Sequence, residues 1–173
     1  MMMIFDTELA LPGFLIGVGG VEEVAELSTA ATCLGFPLDG HCTAEQAAYR
    51  NWADHVFPPR SAFVRNPYRE WIGAQIRGDY FGYINPGDPE KAAEMAFRDA
   101  CISHVKNGIY GEMFVSSMLA CAAVTDSIED IIFGGLAQIP ETSRLYEAVM
   151  KIYDGYKNGV TLDECFSFIH SAY

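Results

Sequence analysis

Positive charge is scarce in this chain. Its 173 residues hold 11 Lys and Arg against 23 Asp and Glu, a formal net charge of -12. A field of that sign repels phosphate backbones and anionic lipid surfaces, so the expected partners include no nucleic acid and no membrane. Long apolar runs are missing as well. The uncharged stretch from Met113 to Thr125 carries Ser116 and Ser117 and is too short to span a bilayer. Asp6 and Glu8 interrupt the apolar residues near the N-terminus, which lack a basic region, so no secretory signal is read there. The five cysteines are odd in number and include no Cys-x-x-Cys pair. They read as reduced thiols, and the expected location is cytoplasmic. No Gly-x-Ser-x-Gly elbow is present, so a serine hydrolase has no support.

Strand signals are nearly absent too, and what fills the chain is helix punctuation. Half the residues are hydrophobic and a fifth charged, a composition that folds, and at this length roughly 70% of the unfolded surface can be buried. A first helix is expected from Val21 to about Leu34, after the Gly17-Val18-Gly19-Gly20 turn. Thr43-Ala44-Glu45-Gln46 is a capping box, followed by Ala47, Ala48, Trp52 and Val56 at helical spacing until Pro58-Pro59 stops the run. Asn66-Pro67 reads as a second start, ahead of Tyr68, Trp71, Ile72, Gln75 and Ile76. Asp88-Pro89 opens the clearest helix, which runs to about Val105 with Ala92, Ala93, Ala96, Phe97, Ala100 and Cys101 on one face; Gly108 is read as its break. Ile109 to Val124 is apolar nearly all round, the pattern of a central buried helix. Thr125-Asp126 begins a helix to about Gln138, Ile139-Pro140 another to Asn158-Gly159, and the box Thr161-Leu162-Asp163-Glu164 a last one. About eight helices with short connections predict an all-α, compact multi-helix fold, with residues 1–173 as a single domain.

Most chemistry-bearing residues have a plain structural reading. Gly17-Val18-Gly19-Gly20 lacks dinucleotide-loop spacing, and Glu22-Glu23 would repel a phosphate at the helix start. His41-Cys42, Cys33 and His55 match no structural zinc spacing. The acid pairs Glu22-Glu23, Glu129-Asp130 and Asp163-Glu164 fall in first turns of expected helices, where the dipole favours them. No cluster of hard-cation ligands is recognisable, so no metal site is assigned. The informative region is Trp71 to Gly111. Arg77-Gly78-Asp79-Tyr80-Phe81-Gly82-Tyr83 puts two glycines beside an acid and two tyrosines, and Ser103-His104 to Tyr110-Gly111-Glu112 follows about 20 residues later. Glycines that admit a ligand to the backbone, with a lone His and Tyr nearby, suit a polar ligand with a ribose and phosphates, although from composition alone the structural reading, a His favoured by the dipole near a helix C-terminus, weighs more.

Three segments in order carry a resemblance: Gly78-Asp79-Tyr80-Phe81-Gly82, then Asn85 to Glu94 with Pro89-Glu90 opening a helix, then Asp99-Ala100-Cys101-Ile102-Ser103-His104. The succession resembles the middle portion of an ADP-ribosylglycohydrolase, most specifically over residues 66–124. The resemblance implies an all-helical fold, magnesium as cofactor, and hydrolysis of the N- or O-glycosidic bond between ADP-ribose and an acceptor. It implies substrate-binding roles for Gly78, Asp79, Tyr80, Gly82 and His104, with Tyr110 as a looser candidate. Asp79 stands where the family commonly has Asn, and Ser103 where it has Thr. The family's metal-binding Thr-Asp-Asp and Asp-x-Asp-Thr segments do not occur here. The catalytic residues are therefore unassigned, no cofactor is expected for this chain alone, and the chain is expected to be truncated and incomplete as a catalyst. The alternative is a non-catalytic helical binding or scaffold protein derived from that fold, forming a homo-oligomer or pairing with a complementing chain.

Overall fold

The computed structural model describes residues 43–172. Among them are seven α-helices and no strand: α1 (Thr43–Ala53), α2 (Asp79–Tyr83), α3 (Pro89–Ala100), α4 (Asn107–Ala122), α5 (Ile128–Leu136), α6 (Arg144–Lys157) and α7 (Leu162–Ala172). Two single 3-10 turns, Arg60–Ala62 and Gln75–Arg77, lie between α1 and α2. The all-α expectation holds. The expected helix from Val21 and the residues Gly17 to Glu23, Cys33, His41 and Cys42 lie outside the described residues.

Helix α4 is the axis of the fold. The turn Gln75–Arg77 and helices α2, α3 and α5 all pack on it, and α6 touches its side. Its sequence explains this position, because Gly108, Gly111, Ser116, Ser117 and Ala120 are small and buried and let neighbouring backbones come close. Gly82 in α2 meets it so tightly that an added Cβ would lie 2.5 Å from Leu119 Cβ and 2.6 Å from the Ser116 carbonyl oxygen. Helix α3 lays Ala92, Ala93, Ala96 and Ala100 into the interior, and Asp88 caps it by accepting from Lys91 N at 3.0 Å. On the other side, Phe114, Leu136 and Ile139 form the apolar contact with α5 and its C-terminal turn. Phe97 leaves the expected apolar face and is exposed. Helices α6 and α7 bury no residue. Among the described residues no helix is long and apolar enough to cross a membrane.

Several local expectations are corrected. Residues 66–77 form turns rather than a helix, because Asn66 is buried and its side-chain amide donates to the carbonyls of Ala62 and Ser103 at 2.8 Å and of Ala44 at 3.3 Å. Its oxygen accepts from Tyr68 N at 3.2 Å, an Asx turn in place of a helix cap. Helix α3 ends at Ala100, short of Val105, since Val105 N bonds the Arg69 carbonyl at 2.8 Å and draws the chain away. Gly108 is no breaker. It is the second residue of α4, where an added Cβ would come 2.7 Å from the Arg69 oxygen. The next two helices begin later than expected, with Ser127 and Ser143 as their caps. The last capping box forms as read, with Thr161 N donating to Glu164 Oε2 and Glu164 N to Thr161 Oγ1.

Candidate functional site

Where α1, the Gln75–Arg77 turn, α3 and the start of α4 meet, the interior is polar. Arg77 reaches inward from its turn. Its Nε donates to Asp99 Oδ2 and its Nη1 to Glu45 Oε1, while Nη2 lies 3.3 Å from Ser103 Oγ and 3.5 Å from the Asp99 carbonyl oxygen. One guanidinium fork thus ties α1 to α3 and to the segment behind α3. His104 is fully buried beside it. Ala74 N donates to His104 Nε2 at 3.3 Å, so the ring proton sits on Nδ1, 2.8 Å from Ser103 Oγ and 3.8 Å from Glu45 Oε1. Gly73 lets the two side chains come close here: a Cβ would stand 2.8 Å from Glu45 Oε1 and 3.1 Å from His104 Cε1. Glu112, from the second turn of α4, completes the cluster with no exposure, and neither of its oxygens accepts a hydrogen bond.

Burial and the single cation divide these groups electrostatically. Burial is the largest single influence on Glu45 and opposes its charge, but the Arg77 guanidinium, the neighbouring His104 and the hydrogen bonds to the carboxyl together outweigh it and hold that carboxyl below its ordinary range. Burial likewise opposes the charge on Arg77, and the paired carboxylates of Asp99 and Glu45 do most to reverse the effect, so it stays protonated. Burial lowers His104 to about 4, against the pull of Glu45, and the ring is neutral at pH 7. Burial also drives Glu112 well above the carboxylate range, and the neighbouring Asp99 adds to the rise. Cys101 alongside is pushed up to about 12 by burial and then by Asp99 and Glu112, an inert thiol.

The residues expected to bind substrate divide between this interior and a surface cleft. Asp79 lines a cleft of about 330 Å³ with Gln75, Ile72, Ile76, Tyr83, Val115 and Leu119. Gly78 and Gly82 are buried against α4 on the inner side of the same turn, and Gly78 O accepts from Ser116 Oγ at 2.7 Å. Tyr80 is half-buried, its ring edge-on to Phe81 at 5.7 Å. His104 lies in the interior, away from that cleft, and Tyr110 packs between two apolar clusters. Reading the sequence missed Glu45, Arg77, Asp99 and Glu112. Two of them had a signal. Asp99 falls in register with Ala92 and Ala96 on the alanine face of α3, and Glu112 interrupts an apolar helix, and acids in such places are paired or neutral.

The carboxylates here do not fit a magnesium centre. Arg77 already takes Glu45 and Asp99, burial opposes the charge on Glu112, and among the described residues no three His, Cys, Asp or Glu side chains are grouped to hold a metal ion.

A small-residue central helix, an α-helical shell and a buried ionic cluster define the class: an all-α fold. The ADP-ribosylglycohydrolase family model matches residues 14–171, most of the 173-residue chain, and the chain belongs to that family. Neither a curated protein nor a solved structure matches it.

Proposed function

We propose that this protein takes ADP-ribose, or an ADP-ribosylated acceptor, into the cleft beside Asp79. In this reading it serves hydrolysis of the N- or O-glycosidic bond, with the hydrolytic machinery completed by another segment or a complementing chain. The family match over residues 14–171 carries the reading. The site chemistry supports it in one respect: Asp79 is an acceptor-only carboxylate at the edge of an apolar cleft, suited to ribose hydroxyls, while Ile72, Ile76 and Tyr83 offer a surface for a base. The diphosphate is harder to place, since a chain of net charge -12 repels it at long range. No side chain among the described residues is assigned to activate the attacking water.

Calorimetric titration with ADP-ribose, with magnesium and again with a chelator, tests this. Binding is expected, weakened about tenfold by Asp79→Ala, the loss of one charge-assisted hydrogen bond. The non-catalytic scaffold reading has its own support, because α6 and α7 bury nothing and leave Tyr156, Leu162 and Phe166 exposed, a surface for a second copy or another chain. Silence in both buffers from a folded sample would refute the ADP-ribose reading and leave the scaffold.

A further inference from the structure

The buried cluster holds more acid than its cation can neutralise. Arg77 from the turn before α2 meets Glu45 from α1 and Asp99 from α3, and its Nη2 is taken by Ser103 Oγ and the Asp99 carbonyl. Glu112 from α4 lies beside Asp99 with no exposure, and no donor elsewhere in the cluster reaches either of its oxygens. From the segment behind α3, His104 brings no positive charge, since its Nε2 accepts the Ala74 N–H, and Cys101 brings only a thiol. Helix α2 turns Asp79 outward to the cleft, and α5 meets the other face of α4 through Phe114, Leu136 and Ile139. Three carboxyl groups therefore share one guanidinium in a buried place, and an unpaired buried carboxylate is too costly to persist there.

We propose that Glu112 and Asp99 share one proton, donated by the Glu112 carboxyl, and that this proton locks α4 onto α3 and the start of α2. The position of Glu112 gives the lock its reach. An added Cβ on Gly78, at the start of α2, would lie 3.1 Å from Glu112 Cγ, so the side chain backs directly onto the element that carries Asp79. The cleft walls Val115 and Leu119 stand one and two turns further along α4. Deprotonation leaves three carboxylates around one cation and pushes α4 away from α2 and α3, so the cleft geometry becomes proton-sensitive. This device does not depend on the identity of the ligand.

The sign follows from the neutral form being native. A carboxyl that keeps its proton in the folded state contributes stability fully at pH values below its unfolded value of about 4.5, and that contribution falls as pH rises toward its folded value. For one proton the unfolding constant changes about tenfold per pH unit across that window. Two measurements test the lock on the full chain. Infrared spectra of protein labelled with 13C-glutamate should show a protonated carboxylic acid band persisting at pH 7, and Glu112→Gln should remove it. Urea unfolding from pH 5 to 9 should give Glu112→Gln a shallower alkaline fall than the native chain, because the amide keeps the donor without a titrating proton. No acid band at pH 7 in the native chain overturns the proposal, and so does an unchanged pH slope in a folded Glu112→Gln. Should that variant not fold, the native spectrum alone decides.

Discussion

Replacing Arg77 by methionine isolates what holds the described part of this protein together. The Arg77 side chain is 14% exposed and its partners Glu45 and Asp99 are 9% and 6% exposed, so all three charges sit in a poorly solvated place. Methionine retains most of the apolar stem but strands two carboxylates with no counter-charge. Breaking a buried pair in this way costs about 3–5 kcal/mol, because the remaining charge stays desolvated. A domain of this size has roughly 5–15 kcal/mol in total. At about 2–4 °C per kcal/mol, melting should fall by roughly 6–20 °C. The decisive comparison is the triple variant Arg77→Met, Glu45→Gln, Asp99→Asn, which removes the stranded charges along with the cation. It should recover much of the loss, since the penalty comes from uncompensated charge more than from lost attraction. Thermal melting and urea unfolding at pH 7 measure both. A melting point within about 2 °C of the native chain for Arg77→Met, or a triple variant no more stable than the single one, would refute the reasoning.

Two further predictions follow from the same interior. His104 is native in its neutral form, lowered from 6.5 to about 4, so its contribution is present above pH 6.5 and lost as pH falls through about 4. The difference corresponds to roughly 3 kcal/mol of acid lability, and an NMR titration in which His104 protonates above pH 6 would rule it out. At the α2–α4 contact, Gly82→Ala should destabilise by about 1–3 kcal/mol because the Ser116 carbonyl 2.6 Å from the new Cβ is backbone and must move. Gly159→Ala makes the control: nothing lies within 4 Å of it, so only its φ of +77 opposes the change, with a cost of about 1 kcal/mol. Equal melting points for the two variants would sink the steric argument.

The fold was legible wherever the local signal and the tertiary contact agree. Asp88-Pro89 reads as a cap in the sequence and caps α3 in the fold, and the apolar run from Ile109 to Ala120 fits the central position of α4, whereas Val124 beyond its end is exposed. The sequence failed where a side chain serves distant partners. Asn66 before Pro67 looks like a helix start, yet its amide is drawn to carbonyls at Ala62, Ser103 and Ala44, contacts up to 37 residues away that no local rule encodes. Gly108 fails for the mirror reason. As a residue it reads as a breaker, whereas its role is to let the Arg69 carbonyl pass. Of the candidate site, the Asp79 turn was visible as a motif and the ionic cluster was not, because Glu45, Arg77, Asp99 and Glu112 come from four separate elements. A helical reading places Asp99 and Arg98 side by side as polar residues, but only the packing of α3 decides that Asp99 goes in while Arg98 goes out to Glu94.

That division bears on where chemistry can occur in a chain of this family. Carboxylates work on a substrate when they are charged, accessible and free of a permanent partner. Glu45 and Asp99 are bound to Arg77, and Glu112 is inaccessible with burial opposing its charge, so the buried acids of the described fold are committed to holding it. His104 is withdrawn on the same grounds, with both ring nitrogens occupied and no route to solvent. What remains facing a concave surface is Asp79, on the turn whose inner side is fixed by Gly78, Gly82 and Ser116. The rigid interior therefore acts on any ligand through the placement of that turn. A substitution at Arg77 or Glu112 that leaves the protein folded should be read out at the cleft as altered binding, before any effect on bond cleavage is sought.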